Sequence, residues 1–361
     1  MKAGVGSRHQ GKTKPHIASL AVASPPFSVD QAAAEEFLTG NFSGILSRRN
    51  LSVMSKILSH PSIRRRHFAF SEPDCLLRED PDSRIARFTE WATRLSSEAA
   101  RKALADAGAR VEDVSALIVN TCTGYVCPGI STYLLEELGM RRDIRAFDLV
   151  GSGCGGAVPN LQVAGAQLDG DDKSVVLSVS VEICSSTFDM DDDLSPVISN
   201  SIFSDGTVAA VLRSRPGGFE LVSSSSICLP EYRDSLRYIH KNGSLCNQIS
   251  TRLPHIVKKA VAHVVSDLLA PLSLKAAGIR HWALHAGGEK IIKEIGKELG
   301  LADSQLAPTR DILLNYGNMS SPTVWFVLKK IWDEGVAEGE WCIMVAFGAG
   351  LSAHAMLLRK T

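Results

Sequence analysis

Gly151-Ser-Gly-Cys154-Gly-Gly-Ala-Val-Pro-Asn160 sets a thiol among glycines, directly after the strand-like run Ala146 to Val150 and before an apolar, helix-like run. Strand, glycine turn and helix in that order are the repeating unit of an α/β fold. Glycines permit a sharp turn and let a substrate approach the backbone closely. A cysteine there sits among unpaired amide N–H groups at the positive end of a helix dipole, which favours thiolate. Taken alone, such a cysteine is more often a small buried residue in a tight turn.

Outward from this turn, strand-like and helix-like segments alternate nearly throughout. His16 to Val22 and Ser115 to Asn120 read as strands, and Glu90 to Ala107 as a long amphipathic helix stopped at Gly108. Ser28 with Gln31 has the capping-box pattern and is expected to open a helix through Phe37. Ser174 to Val181 and Thr207 to Leu212 are further strands. The second half repeats the style. Pro254 to Leu269, Glu289 to Leu299 and Ser321 to Glu334 read as helices, and Trp282 to His285, Trp341 to Phe347 and Ser352 to Leu358 as strands. No low-complexity linker separates the halves, so the organisation is one doubled unit: a basic tail over 1–15, a first half over 16–215 and a second over 216–361.

The 361 residues carry 39 Lys+Arg against 39 Asp+Glu. A formal charge of zero argues against non-specific nucleic-acid binding, so any anionic ligand must be met by local cations. The most apolar stretch, Trp341 to Leu357, is broken by Gly348, Gly350 and His354, and stable membrane insertion is not expected. Met1 to His16 carries Lys2, Arg8, Lys12 and Lys14 and lacks the form of a signal peptide. The eight cysteines show neither zinc-module pairing nor the density of a secreted scaffold, which points to reduced thiols and a cytoplasmic protein.

Two further segments carry chemistry. His281-Trp-Ala-Leu-His285-Ala-Gly-Gly288 runs a strand into a glycine turn, where a histidine can carry a proton or stabilise an oxyanion. His281 and His285 fall on one strand face, yet no third ligand stands at a convincing spacing, so no metal site is expected. Asn315-Tyr-Gly-Asn318-Met-Ser-Ser321 precedes an apolar helix; Asn318 or Ser320 could cap it. Equally, a buried Asn amide offers N–H donors for a thioester oxygen gaining charge.

GSGCGG around Cys154, HAGG at His285 and YGNMSS at Asn318 together resemble the type III polyketide synthases, the chalcone and stilbene synthase-like branch of the thiolase-fold enzymes. Further stretches match in order: Pro25-Pro26, Thr121-Cys-Thr-Gly124, Val181-Glu-Ile183 with Thr187, Ile202-Phe203-Ser-Asp-Gly206 and Phe347-Gly-Ala-Gly350. The resemblance implies a five-layer αβαβα thiolase-like subunit of two similar halves, working as a homodimer. It implies an acyltransferase whose cysteine takes a starter from acyl-CoA and extends it by decarboxylative condensation with malonyl-CoA before cyclisation. The CoA thioesters are substrates, and no cofactor is expected.

By the same resemblance Cys154 is the nucleophile, His285 supports its thiolate, and His285 with Asn318 binds the malonyl carbonyl oxygen. Phe203, Cys122, Thr187, Cys127, Asn247, Gly348 and Gly350 would border the substrate cavity, and Lys56 and Lys290 would meet the CoA phosphates. Cys122 stands where plant chalcone synthases have Thr, and Cys127 where they commonly have a Met that reaches into the partner subunit's cavity. Around Leu245-Cys-Asn-Gln248 a second gatekeeping Phe is replaced by Cys246 or Asn247. Losing that aromatic points away from chalcone formation, toward a pyrone, resorcinol or phloroglucinol from a fatty or short acyl-CoA. Two alternatives share the Cys, His, Asn order: a β-ketoacyl synthase III-like enzyme using a carrier protein, and a cysteine hydrolase.

Overall fold

The computed structural model describes residues 14–168 and 174–361, so nearly all of the basic tail lies outside the described residues. The first strands are β1 (His16–Ala23) and β2 (Phe27–Asp30), followed by helices α1 (Gln31–Phe42) and α2 (Arg48–Leu58) and strand β3 (Arg65–Phe68). Helix α3 (Pro81–Asp106) leads to β4 (Val114–Asn120), α4 (Ile130–Glu137), β5 (Arg145–Leu149) and α5 (Ala157–Ala166). Then come β6 (Val175–Glu182), α6 (Leu194–Ile202), β7 (Gly206–Arg213), β8 (Phe219–Cys228), β9 (Leu236–Lys241) and β10 (Ser244–Ile249). The chain closes through α7 (Leu253–Leu269), β11 (His281–Leu284), α8 (Glu289–Leu299), α9 (Asp303–Tyr316), α10 (Pro322–Glu334), β12 (Trp341–Gly348) and β13 (Ser352–Lys360).

Strands run in the order β11-β12-β13-β8-β1-β7-β6-β4-β5. Among the described residues the strands of the two halves pair only where β1 meets β8, at His16 with Glu220 and Ile17 with Phe219. Each half has parallel pairing toward its outer edge, β6-β4-β5 and β11-β12, and antiparallel pairing toward the join. Every residue of β6 and β7 is buried, as an apolar strand must be when both sheet faces are covered.

Three helical layers provide that cover. Helix α3 packs on the outer face of the first half, and α7 with α8 on the outer face of the second. Between the two sheets lie α5 and α10; Val324 to Leu328 are buried on every side of α10, the signature of a helix enclosed all round. The expected αβαβα layering is what these contacts build.

Local expectations fail where distant partners intervene. Ser28 caps nothing: it lies in β2 opposite His67, and the N-cap of α1 is Asp30, without a side-chain capping bond. Gln31 instead donates to the Ser201 carbonyl and accepts from Arg66 Nε at 2.7 Å. Helix α3 begins not at Glu90 but at Pro81, where Asp80 accepts from Ser83 N at 2.7 Å. Neither Asn318 nor Ser320 caps α10; its N-cap is Ser321, again without a side-chain capping bond, its hydroxyl being turned to Glu182.

Candidate active site

The turn after β5 is built as its glycines suggest. Gly151 and Gly153 adopt φ of 89° and 54°, and Gly153–Gly156 form a 3₁₀ turn running straight into α5. This places Cys154, 8% exposed, at the start of the middle-layer helix. β12 presses against the turn from below: a Cβ on Gly348 would stand 2.3 Å from Gly155 N and from Ser152 O.

Cys154, His285, Asn318 and Phe203 all line one cavity of about 510 Å³, with the exposed Lys56 and Lys290 on its rim. His285 follows β11; its N–H donates to Val345 O at 2.8 Å, and its ring stands edge-on to Phe347 with centroids 4.9 Å apart. Its Nδ1 is buried without a partner among the described residues. Such an orphan in a cavity wall is an offer to a ligand. Asn318 is tied to Phe203 through an isolated β-bridge, and its N–H donates to Ile202 O at 3.0 Å. Its Oδ1 accepts from Ser320 N at 2.9 Å and Thr323 Oγ1 at 3.5 Å, which commits the oxygen and leaves the amide N–H₂ as the free end.

Burial holds both reacting groups neutral. The thiol of Cys154 is pushed up to about 12, opposed by a hydrogen bond from Ser320, and the imidazole of His285 is pushed down to about 3. An imidazolium at His285 is therefore not the form that this environment favours. His281 is occupied elsewhere, its Nε2 2.9 Å from Glu340 Oε2. No group of three or more His, Cys, Asp or Glu is arranged to hold a metal among the described residues.

The remaining assignments divide. Asn247 borders a small space of about 20 Å³ beside Cys154, facing Tyr238 across the β9–β10 pair. Thr187, with Asn247, lines a separate crevice, and its Oγ1 donates to Cys184 O at 2.9 Å. Cys122 is buried beneath the site rather than lining it: its Sγ donates to Glu182 Oε1 at 3.2 Å and lies 3.4 Å from Ser320 Oγ. Cys127 is exposed and lines none of these cavities of its own subunit, as is expected of a residue directed toward the partner's cavity. Gly348 and Gly350 also lie outside the cavity walls; Gly348 serves close packing against the nucleophile turn, while Ala349 between them reaches the small space.

Three residues at the site have no chemical role in the sequence reading. Glu182, fully buried at the end of β6, accepts from Cys122 N, Thr123 Oγ1 and Ser321 Oγ at 2.9, 2.9 and 2.7 Å, and burial raises its pKa. A lone carboxylate ending the run Val175 to Val181 was a signal in itself. Ser320 was read only as a possible cap and Tyr238 not at all, because both reach Cys154 only through the folded chain.

A family model described as FAE1/Type III polyketide synthase-like protein matches residues 27–221, and one described as Chalcone and stilbene synthases, C-terminal domain, matches 220–361. The 3,5-dihydroxyphenylacetyl-CoA synthase of Streptomyces toyocaensis is 27% identical over 330 residues, covering 88% of this chain and 84% of that protein. The alpha-pyrone synthesis polyketide synthase-like Pks18 of Mycobacterium tuberculosis is 28% identical over 359 residues, covering 94% and 90%. The crystal structure of PKS-I from the brown alga Ectocarpus siliculosus matches at a TM-score of 0.89 with 26% identity, covering 98% of this chain and all (100%) of that one. With both halves matched and the Cys, His and Asn gathered at one cavity, this chain belongs to the type III polyketide synthase family, chalcone and stilbene synthase-like acyltransferases that depend on malonyl-CoA.

Proposed function

We propose that this chain builds a pyrone, resorcinol or phloroglucinol-type product from a non-aromatic acyl-CoA starter and malonyl-CoA. The observation that carries the assignment of roles is the sharing of one cavity by Cys154, His285 and Asn318, with Lys56 and Lys290 at its rim. In this reading the half over 16–215 supplies the nucleophile and the half over 216–361 the proton carrier and amide.

Cys154 Sγ attacks the starter thioester carbonyl as neutral His285 takes the thiol proton; collapse of the tetrahedral intermediate expels CoA, which leaves with that proton. A neutral imidazole suits a base that acts at the moment of attack. Malonyl-CoA then enters between Lys56 and Lys290, and its thioester oxygen meets the His285 ring and the Asn318 amide. Loss of CO₂ leaves an enolate held by these donors in a cavity shielded from water. The enolate carbon attacks the Cys154 thioester, the Cys154 sulfur leaves, and the chain, two carbons longer, is carried on CoA.

The enzyme is read as a cytoplasmic homodimer. Its eight cysteines, all free thiols in this structure, suit a reducing compartment, and no helix among the described residues is long and apolar enough to cross a membrane. Incubating the protein and its Cys154→Ala variant with malonyl-CoA and short, long-chain and aromatic acyl-CoAs tests the reading. Polyketide masses that vanish in the variant support it; a flavonoid-type chalcone as sole product, or starter hydrolysis alone, rejects it. Sedimentation at equilibrium tests the dimer.

A further inference from the structure

The last bond within α6 runs from Phe203 N to Ser199 O at 2.8 Å, so the next four carbonyls, of Asn200, Ser201, Ile202 and Phe203, have no partner in the helix. All four are met from elsewhere. Arg66 Nη1 donates to Asn200 O at 2.7 Å and to Phe203 O at 2.9 Å, and Gln31 Nε2 donates to Ser201 O at 3.1 Å. Asn318 N donates to Ile202 O at 3.0 Å. Gln31 and Arg66 work as a pair, since Arg66 Nε donates to Gln31 Oε1 at 2.7 Å. Arg66 is 2% exposed, and its charge faces the negative end of the helix. Burial lowers its pKa to about 9, so it stays a cation near neutral pH.

What hangs from this helix end is one half of the active site. The main chain of Asn318 is bonded on both sides to the same segment, its N–H to Ile202 O and its carbonyl to Ser204 N at 2.9 Å, with Phe203 between them. At Gly317, φ 71°, an added Cβ would stand 2.9 Å from Arg66 Cγ, so the loop before Asn318 also rests on the Arg66 stem. The other half has a different support. The turn of Cys154 packs on β12 at Gly348, and His285 N donates to Val345 of that strand. We propose that Gln31 and Arg66 are positioning residues for the malonyl step: by fixing the end of α6 they hold the Asn318 amide and the Phe203 ring against the thioester that loses CO₂. This assignment rests on the condensing reading above and separates its two half-reactions. Loading of the starter needs only the thiol and imidazole carried by β12. In the malonyl step the bond to the carboxylate carbon breaks, CO₂ leaves, and the electron pair enters an enolate whose oxygen needs the Asn318 amide in place. Without an acyl partner, that enolate takes a proton from water and becomes acetyl-CoA.

The half-reactions are measured apart. Loading of Cys154 by butyryl-CoA is timed by intact mass, and decarboxylation is read as acetyl-CoA formed from malonyl-CoA in a Cys154→Ala background, where no condensation consumes the enolate. Gln31→Met keeps the length of the side chain and removes both of its bonds. It should lower kcat for decarboxylation by about tenfold to a hundredfold, with KM for malonyl-CoA within about threefold and the loading rate within about twofold. Gln31→Glu restores the acceptor for Arg66 Nε and should return most of that kcat. Arg66→Lys, whose single nitrogen cannot span Gln31 and both carbonyls, should behave as Gln31→Met does and carries the test should that variant not fold. Unchanged decarboxylation in both variants, or loading and decarboxylation falling together, overturns the proposal, as does a Gln31→Glu variant no better than Gln31→Met. No acyl adduct on Cys154, or no acetyl-CoA from the Cys154→Ala protein itself, would instead overturn the condensing reading, and this proposal with it.

Discussion

The Ser320 hydroxyl donates to the Cys154 sulfur at 3.2 Å while standing 3.3 Å from Glu182 Oε1, so a single proton is shared between the nucleophile and a buried carboxylate. Ser320 is held there in the left-handed region, φ 56°, by its N–H bond to Asn318 Oδ1. Its hydrogen bond lowers the thiol pKa against the opposing push of burial and of Glu182. Ser320→Ala should therefore raise that pKa. A bond worth about 1 kcal/mol corresponds to roughly 0.7 pKa unit, or about fivefold slower alkylation of Cys154 by iodoacetamide at pH 8. Peptide-resolved mass spectrometry separates Cys154 from the other cysteines. An unchanged or faster rate would remove Ser320 from the activation of the thiol.

His285 gives stability a predictable pH dependence. Its folded pKa of about 3 lies below the ordinary 6.5, so between those values the unfolded chain takes up a proton that the folded chain refuses. Its contribution is present above pH 6.5 and is lost as pH falls toward 3, by up to about 1.4 kcal/mol per pH unit. Burial lowers His354 as well, to about 4, which acts in the same direction. Glu182 and Asp205 are raised and act in the opposite one. His285→Asn removes only the first contribution, so its urea midpoint should vary less steeply with pH between 4 and 6.5 than that of the unmodified protein. Parallel curves would contradict a neutral, buried ring.

Lys56 and Lys290 are both exposed on the rim of the cavity that holds Cys154. If they meet CoA phosphates, Lys56→Ala and Lys290→Ala should each raise KM for acyl-CoA about three- to tenfold with little change in kcat, because a contact made equally before and during reaction affects binding alone. At 1 M salt, where the screening length is about 3 Å, the difference should largely disappear. It should also shrink for an acyl thioester of N-acetylcysteamine, which lacks phosphates. A kcat loss that persists with the truncated thioester would show that the lysines act on the fold instead.

The parts of this molecule that were legible in the sequence are those whose constraint is local. A thiol among glycines fits a tight turn, and the mostly apolar β6 and β7 fit the interior. Ser28 and Gln31 misled because pairing of β2 with β3 and the Arg66 bond to Gln31 outweigh a capping preference worth about 1 kcal/mol. α9 was missed because Pro308 interrupts its pattern, and β8 because its run Ser223 to Ser226 lacks apolar alternation. Tyr238 and Ser320 could not be found from their neighbours in sequence. Tyr238 comes to Cys154 through the β9–β10 pair, and Ser320 through a turn fixed by Asn318.

Gly348 shows the same distinction between sequence position and role, and yields a sharp test. Sequence motif placed it at the cavity wall, whereas the structure places it under the nucleophile turn, with room for no side chain. An alanine Cβ there would stand 2.3 Å from Gly155 N and Ser152 O and 3.0 Å from Cys154 N. All three are backbone atoms, so the conflict cannot be relieved by a rotamer change: β12 and the turn must separate. Overpacking of this kind costs about 1–3 kcal/mol, and displacement of a nucleophile by about 1 Å can cost roughly a hundredfold in rate. Gly348→Ala should therefore lower both the melting temperature and kcat/KM, with Cys154 alkylation altered in parallel. Gly40→Ala is the control: that position lies within α1 with nothing within 4 Å of the added carbon, and alanine favours a helix over glycine. Wild-type activity in Gly348→Ala would mean that the turn tolerates displacement and that its close packing against β12 does not position the thiol.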